Sequence, residues 1–182
     1  MTNRTVFLEK FILEPKKIGS ITPSSSFLTK KMLATLPWDK IETIAELGAG
    51  TGVFTNFIAQ NKREACRVLI IEQDLEMREA LQTKFSSFYY GTNAEKLDVL
   101  LQRYDLPQVN CIVSGLPFAT FSVTLRNEIM EAINRSLKPG GIFVAFQYSL
   151  QMRKVLKQHF SEIEIEFVPL NLPPAFVYRC QK

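Results

Sequence analysis

Residues 43–52 read Thr-Ile-Ala-Glu-Leu-Gly-Ala-Gly-Thr-Gly, and this stretch decides the fold. A short apolar run ends in Glu46, glycines follow at positions 48, 50 and 52, and residues 53–58 have the apolar spacing of a helix. The pattern predicts a strand, a glycine turn and a helix. Glycine lets a ligand approach the backbone closely, and a helix N-terminus offers unpaired N–H groups and the positive end of a dipole. A nucleotide-like ligand that carries a carboxylate suits this place.

A second strand supports a ligand site. Residues 67–71 are mostly apolar, and Glu72 stands at their C-terminal end, twenty residues after Gly52. An acidic residue at that place can accept hydrogen bonds from both hydroxyls of a ribose. The alternatives are a solvated acid that precedes the helix at Asp74 and a glycine loop that binds nothing.

The spacing Glu-x-Gly-x-Gly-x-Gly differs from that of NAD-binding folds and resembles motif I of class I S-adenosylmethionine (SAM)-dependent methyltransferases. Residues 109–118 look like that family's fourth strand and substrate loop, and residues 137–144 resemble the turn into its fifth strand. The resemblance implies SAM as the cofactor. It implies that SAM is bound by Ser20, Glu46, Gly48, Ala49, Gly50, Thr51, Gly52, Glu72, Gln73, Asn93, Ala94 and Ser114.

Asn93 departs from the family pattern. Many methyltransferases carry Gly-Asp-Ala after the third strand, whereas residues 91–94 here read Gly-Thr-Asn-Ala. The amide oxygen of Asn93 can still accept a hydrogen bond from the adenine amine. A plain turn asparagine is the alternative interpretation.

The rest of the chain alternates strands and helices. Apolar runs predict strands near 43–47, 67–71, 87–91, 109–114, 142–148, 162–168 and 175–180, and helices near 3–14, 23–36, 52–60, 74–84, 95–102, 122–136 and 150–159. This order predicts an α/β fold with a doubly wound, seven-stranded, mostly parallel sheet. Because a short turn at residues 171–174 separates the last two strands, we expect them to pair antiparallel, as in the methyltransferase sheet with its reversed last strand. We expect an N-terminal helical segment over residues 1–40 and the methyltransferase domain over 41–182.

Composition restricts the class of protein. The chain has 182 residues, 46% of them hydrophobic, and we expect no membrane span and no signal peptide. Three cysteines and a single histidine match no zinc spacing, so we predict no metal site. Residues 1–40 contain seven basic and three acidic side chains, which accounts for the whole net charge of +4. A basic segment of this kind attracts phosphate groups of lipid or nucleic acid, and a soluble face with surplus lysine is the alternative.

Three further stretches restrict the class of molecule that would accept the methyl group. Residues 18–25, 114–118 and 171–178 together resemble bacterial phospholipid N-methyltransferases, which methylate phosphatidylethanolamine. That resemblance implies a phospholipid substrate and a cytoplasmic protein held peripherally at the inner face of the membrane. The related rRNA adenine dimethyltransferases have Asn-Leu-Pro-Tyr in the substrate loop, where this chain has Gly115-Leu-Pro-Phe118, so we expect nucleic acid to be an unlikely substrate. An rRNA adenine dimethyltransferase-like enzyme, a small-molecule methyltransferase and an inactive SAM-binding module stay open as alternatives.

The candidate catalytic residues are the substrate loop Ser114, Gly115, Leu116, Pro117 and Phe118, together with Tyr148. Tyr148 could orient the amine or relay its proton, or could be a strand-end tyrosine with a wet hydroxyl. Phe118 could offer a ring face to an ammonium group, or could pack beneath the loop. Ser20, Ser24 and Ser25 could close over SAM, bind a lipid phosphate or cap a helix.

Overall fold

The structure, a computed structural model, describes the backbone of residues 23–182 and the side chains of residues 26–182. The strands are β1 (Thr43–Leu47), β2 (Arg67–Ile71), β3 (Tyr89–Gly91), β4 (Val109–Ser114), β5 (Leu137–Gln147), β6 (Glu162–Val168) and β7 (Ala175–Gln181). The α-helices are α1 (Pro23–Leu33), α2 (Val53–Asn61), α3 (Leu75–Lys84), α4 (Leu97–Arg103), α5 (Val123–Ser136) and α6 (Arg153–His159), with 3₁₀ turns at Ala94–Lys96 and Phe118–Thr120. The predicted helix at 3–14 and the predicted site residue Ser20 lie outside the described residues.

The seven strands form one sheet in the order β3-β2-β1-β4-β5-β7-β6. Neighbouring strands are parallel except for β7, which runs antiparallel to both β5 and β6. The predicted doubly wound sheet with a reversed last strand is therefore confirmed, as is the antiparallel pairing of the last two strands.

Helices cover both faces of the sheet. One face packs against α1, α2 and α3 through a cluster that includes Leu28, Met32, Ile58 and Leu81. The other face packs against α4, α5 and α6 through a second cluster that includes Leu97, Ile133 and Leu156. Helix α1 thus shares a core with the strands that follow it. None of the helices in residues 23–182 is long and apolar enough to cross a bilayer.

Three predicted boundaries were wrong. Helix α1 ends at Leu33 instead of near residue 36, because a turn closed by Leu36 N and Leu33 O follows it. Strand β5 begins at Leu137 instead of near residue 142, because the stretch predicted as a turn continues the ladder across a register shift between Val109 and Cys111 of β4. The amide of Gly140, at a φ of +72°, donates to the carbonyl of Lys182, so the end of the chain extends this pairing. Helix α6 begins at Arg153 instead of near residue 150, because a turn closed by Arg153 N and Leu150 O precedes it.

The topology brings several loops to one edge of the sheet. Parallel strands β1, β2, β3, β4 and β5 all end at the same edge, their carboxyl edge. Because β7 is reversed, its first residues pair with the last residues of β5, as Gln147 and Phe176 show. The β6–β7 turn, residues 169–174, therefore lies at the carboxyl edge too. Ligands of open α/β sheets bind at this edge, where the strand order reverses.

Candidate functional site

A cleft of about 930 Å³ opens at the carboxyl edge of the sheet. Its walls come from the loops after β1 to β5, from the β6–β7 turn, and from Leu28 of α1. The strand order reverses between β1 and β4, and the glycine loop after β1 lies at this point. The position and size suit a nucleotide-sized ligand together with part of a second one.

The glycine loop has positive φ angles at Gly48, Gly50 and Gly52. A Cβ atom at Gly48 would lie 2.8 Å from Leu116, and one at Gly52 would lie 2.5 Å from Leu81. A Cβ atom at Gly50 would meet no protein atom within 4 Å, and Gly50 lines the cleft. Gly48 and Gly52 are thus needed for packing within the protein, whereas the bare backbone at Gly50 leaves space for a ligand.

Glu72 connects the loops after β1 and β2. Its Oε2 atom accepts a hydrogen bond from Gly50 N at 2.6 Å, and its Oε1 atom accepts one from Asp74 N at 2.8 Å. Each carboxylate oxygen can accept a second hydrogen bond, and the residue lines the cleft. A carboxylate with two fixed acceptor oxygens therefore lies in the wall of the cleft, and a ribose with two hydroxyl groups would require such an acceptor.

Glu46 lies beneath the glycine loop and is fully buried. Its Oε2 atom accepts a hydrogen bond from Thr55 Oγ1 at 2.7 Å, and its Oε1 atom has no partner among the described residues. Burial raises the pKa of Glu46 to about 8, the Thr55 hydrogen bonds oppose this increase, and the nearby Glu72 charge adds to it. Glu46 does not line the cleft, so a contact with the ligand would have to reach it through the loop.

The remaining predicted cofactor residues divide between the wall of the cleft and the core. Ala49, Thr51, Gln73, Asn93 and Ala94 line the cleft. Asn93 Nδ2 donates to Glu95 Oε1 at 2.5 Å, which orients the amide. Ser114 is fully buried, and its Oγ atom accepts a hydrogen bond from Leu116 N at 3.2 Å, so it shapes the loop from beneath.

The loop after β4 forms the wall opposite Glu72. Gly115, Leu116 and Pro117 line the cleft, and Gln147 Nε2 holds the loop through the Leu116 carbonyl at 3.0 Å. Phe118 is 1% exposed and packs edge-on against other rings of the core. The structure therefore favours the packing alternative for Phe118.

Tyr148 directly follows β5 and lines the cleft. Its ring packs edge-on against Phe146 at a centroid distance of 5.6 Å. Burial raises the pKa of Tyr148 to about 12. The hydroxyl group therefore stays protonated near neutral pH and can donate or accept a hydrogen bond, but it is a poor proton acceptor.

Sequence reasoning missed the contribution of the β6–β7 turn. Asn171 and Leu172 line the cleft, and so do Phe121 and Leu125 at the start of α5. The predicted reversal of the last strand could have located Asn171 and Leu172 in the cleft, because the turn before a reversed strand lies at the carboxyl edge of the sheet. Nothing in the local sequence marked the second pair. No cluster of three or more metal-ligating side chains occurs in the described part of the chain.

A model of the methyltransferase domain family matches residues 44–141, which is more than half of the chain and includes the glycine loop and Glu72. Together with the sheet topology, this match identifies the class. The chain belongs to the SAM-dependent methyltransferase family, and SAM is its cofactor.

Relatives of known activity include a lipid enzyme. The chain is 30% identical to the ornithine lipid N-methyltransferase of Singulisphaera acidiphila over 181 residues, which cover 97% of this chain and 94% of that protein. It is 26% identical to ribosomal RNA small subunit methyltransferase A of Streptococcus gordonii over 160 residues, but spans about half of that protein, 54%. Homology therefore extends over nearly the whole length in the lipid enzyme.

Solved structures share the fold at low sequence identity. The N-methyltransferase NodS from Bradyrhizobium japonicum WM9, in complex with S-adenosyl-L-homocysteine, matches with a TM-score of 0.69 at 14% identity, over 90% of this chain and 89% of that one. A SAM-dependent methyltransferase from Aquifex aeolicus matches with a TM-score of 0.68 at 15% identity, over 93% and 97%. These likenesses support the fold of the chain.

The site fits SAM on the structure's own observations. The glycine loop leaves a space at Gly50 that a Cβ atom would fill, and Glu72 presents two acceptor oxygens beside it.

The Gly50 space predicts a specific loss of affinity. We expect Gly50→Ala to weaken SAM binding about tenfold or more, because the new methyl group occupies ligand space and a contact of this size is worth about 1.4 kcal/mol. Gly140→Ala is the matched control, because Gly140 also has a positive φ and its Cβ atom would meet its nearest neighbour at 3.9 Å, yet it lies outside the cleft. Both variants carry the same backbone strain, about 1–2 kcal/mol. Calorimetry that finds equal SAM affinities in the two variants would contradict the assignment.

The buried Glu46 predicts a pH-dependent stability. Its pKa is about 8 in the folded protein and 4.5 by its ordinary value, so between these values the folded protein holds a proton that the unfolded chain loses. Wild-type stability should therefore fall as pH rises through this window, by about 1.4 kcal/mol per pH unit at most. Glu46→Gln removes this titration, so the melting temperature of the variant minus that of the wild type should grow from about pH 4.5 and level off above about pH 8. A difference that stays constant in thermal unfolding across this range would show that Glu46 is ionised in the folded protein.

Proposed function

We propose that the protein transfers methyl groups from SAM to the primary amine of a membrane lipid, and that the acceptor is a phosphatidylethanolamine-type phospholipid. The observation that carries this proposal is the apolar mouth of the cleft. Leu172 of the β6–β7 turn lines the cleft and is 77% exposed, and Leu170 on the same turn is 74% exposed. Acyl chains or the bilayer itself would cover side chains that a water-soluble acceptor would leave in water.

The wall behind the mouth is also apolar. Leu28, Phe121, Leu125 and Phe146 line the cleft between the turn and the loop after β4. Such a wall accommodates the part of a lipid next to its head group. The full-length relationship to an ornithine lipid N-methyltransferase supports a lipid amine, and an ornithine lipid is the acceptor to test beside phosphatidylethanolamine.

Different residues of the cleft would bind SAM and the methyl acceptor. The glycine loop from Gly48 to Gly52 would hold SAM, Glu72 would accept hydrogen bonds from the ribose, and Asn93 would accept one from the adenine amine. SAM supplies an electrophilic methyl group when bound. The loop from Gly115 to Pro117 would hold the acceptor in line with that methyl group and keep water out, which is where much of the rate enhancement should arise.

Tyr148 would orient the acceptor through its protonated hydroxyl group. A proton relay that begins with a tyrosinate is disfavoured, since burial raises the pKa of this residue to about 12. Phe118, packed in the core, would support the loop from beneath.

The N-terminal segment would hold the protein at the membrane. Residues 1–40 carry the whole excess of positive charge, and Phe7, Leu8, Phe11 and Ile12 fall on one face of the predicted helix. An amphipathic helix lies in the bilayer interface with its apolar face buried, and the lysines that follow it, such as Lys16 and Lys17, attract anionic lipid. We infer a cytoplasmic protein at the inner face of the membrane, with the β6–β7 turn and this segment both in contact with lipid.

The proposed acceptor predicts where a methyl label goes. With radiolabelled SAM, we expect label in phosphatidylethanolamine vesicles, and little in ribosomal RNA or in ethanolamine offered in parallel. Ornithine lipid vesicles complete the panel. Label in ornithine lipid alone would still support a lipid N-methyltransferase but would contradict the phospholipid acceptor. Label in RNA alone would favour an rRNA adenine methyltransferase. Label in ethanolamine alone would favour a small-molecule methyltransferase.

The proposed membrane contact predicts a loss of vesicle binding. We expect Leu170→Ser to bind vesicles of phosphatidylethanolamine and phosphatidylglycerol about tenfold more weakly, because the variant no longer transfers this leucine side chain from water into the bilayer. Deleting residues 1–14, which carry two basic and two acidic side chains, should weaken binding further at both salt concentrations, because apolar contacts with the bilayer are lost. Val99→Ser is the control, because Val99 is 55% exposed on α4 and lies outside the cleft.

Cosedimentation at two salt concentrations, beside calorimetry with SAM, measures these effects. All three variants should keep SAM binding. If the truncated protein loses SAM binding, the N-terminal segment is a lid over the cleft instead of an anchor. If Leu170→Ser and Val99→Ser bind vesicles equally well, the turn does not touch the membrane.

A further inference from the structure

Within the described part of the chain, the charged side chains that line the cleft follow two neighbouring strands. Among the described residues, the carboxylates that line the cleft are Glu72, Asp74 and Glu95, and each follows β2 or β3. The strand order places β2 and β3 on one side of the switch point and β4, β5 and β7 on the other. The loops after β4 and β5 and the β6–β7 turn contribute only uncharged residues to the cleft, although the turn that carries Glu95 packs against α5. This uncharged side of the cleft is lined by Gly115, Leu116, Pro117, Phe146, Tyr148, Asn171 and Leu172.

The carboxylates of the first side are already engaged. Glu72 accepts from Gly50 N and Asp74 N, Asp74 caps α3 by accepting from Met77 N at 2.9 Å, and Glu95 accepts from Asn93. The glycine loop and Glu72 make this side the place for the nucleoside. The uncharged side is what is left for the methyl acceptor.

Charged groups on the elements around the uncharged side do not line it. Helix α1 carries Lys30 and Lys31, and Lys31 Nζ lies 2.6 Å from Glu166 of β6, which also lies 3.7 Å from Arg179 of β7. Arg153 begins α6 after the Tyr148 turn. None of these five side chains lines the cleft, so the loop after β4, Tyr148 and the β6–β7 turn offer an ammonium group no counterion of their own.

Asn171 is the polar side chain best fixed on the uncharged side. The residue is 4% exposed and lines the cleft from the β6–β7 turn. Its Nδ2 atom donates to the carbonyl of Pro173 at 2.6 Å, which uses the nitrogen end of the amide within the turn. The carbonyl oxygen at the other end is an acceptor, and an amine N–H is a donor.

We propose that the acceptor amine binds uncharged in the half of the cleft formed by the loop after β4, Tyr148 and the β6–β7 turn, and that the Asn171 side-chain oxygen positions it by accepting a hydrogen bond. The proposal rests on the proposed methylation of an amine. None of the side chains that the structure describes acts as a general base in it. The uncharged site binds only the neutral form of the amine, so no enzyme group has to remove a proton from the bound acceptor.

The chemistry of methyl transfer requires the neutral form. The nitrogen lone pair forms the new N–C bond while the C–S bond electrons pass to sulfur, so the positive charge moves from sulfonium to nitrogen. An ammonium group has no lone pair and would be repelled by the sulfonium. Burial without a counterion disfavours the charged form of an amine, so the proton leaves to water before binding, and the methylated product releases its second proton to water after it departs.

Kinetics of Asn171 variants test the positioning role. We expect Asn171→Ala to lower kcat/KM for the acceptor about tenfold, as for one lost hydrogen bond in a desolvated site, while the Kd for SAM stays within about twofold. Asn134→Ala is the matched control, because Asn134 Nδ2 also donates to a backbone carbonyl, that of His159 at 3.0 Å, and lies outside the cleft. Equal effects of the two variants on acceptor kinetics would contradict the proposal.

The pH profile tests the neutral-amine claim, which a structural role of Asn171 would not affect. From about pH 6 to about pH 10, wild-type kcat/KM should rise with the fraction of neutral amine, with no inflection besides one that the buried Glu46 can add near pH 8. Tyr148→Phe should keep this profile, while Asn171→Asp, which provides a counterion for ammonium, should lower the acceptor KM near neutral pH, lower kcat, and move the kcat profile to higher pH. A wild-type inflection that disappears in Tyr148→Phe or Glu95→Gln would identify a general base and overturn the proposal.

The acceptor used is the one that the wild-type enzyme methylates in mixed micelles or in solution, chosen from phosphatidylethanolamine, ornithine lipid and ethanolamine. If ethanolamine alone is methylated, the lipid function fails and the amine subsite is still tested with ethanolamine. If a lipid is methylated and the Asn171 variants match the wild type, the subsite fails and the lipid function stands. If no amine is methylated, both fail.

Discussion

The antiparallel direction of β7 determines what stands at the mouth of the cleft. In a sheet of parallel strands, the connection between two strands passes along a face of the sheet and enters the next strand at the end opposite the carboxyl edge. Here β7 starts beside the end of β5, so the β6–β7 turn reaches the same edge as the glycine loop. Asn171 and Leu172 therefore face the ligand space, and Leu170 stands exposed next to it. The acceptor side of the cleft and the proposed membrane contact both depend on this one reversal.

The described residues that line the cleft also differ in charge on the two sides of the switch point between β1 and β4. The loops after β2 and β3 carry the carboxylates, and backbone amides fix the most central one, Glu72, on both of its oxygens. A buried carboxyl group beneath the glycine loop, Glu46, has its pKa raised to about 8 by burial, so the site contains an acid that is largely neutral at neutral pH. Across the switch point, Tyr148 and Asn171 line the cleft with polar groups that carry no charge. A cationic cofactor and a neutral nucleophile suit these two sides.

The sequence predicted most of the nucleoside side and less of the acceptor side. Glycines at fixed spacing and an acid after an apolar run are local signals, and the structure places Gly50 and Glu72 together as the pattern indicates. Phe118 was a candidate for contact with the acceptor, but a 3₁₀ turn after Pro117 directs it into the core, and no local pattern reports such a turn. Asn171 was recognised as part of a turn, yet its place in the cleft follows from a strand pairing that is distant in sequence. Strand β5 began earlier than its apolar run because pairing with the chain end extends the ladder.

The most direct test of the account is a crystal structure of the protein with S-adenosylhomocysteine and a short-chain phosphatidylethanolamine. The account predicts the ribose on Glu72, the adenine near Asn93 and the lipid amine within hydrogen-bonding distance of the Asn171 side-chain oxygen, with the acyl chains leaving past Leu172. An amine bound to Glu95 or Asp74, or a head group held outside the cleft, would contradict it.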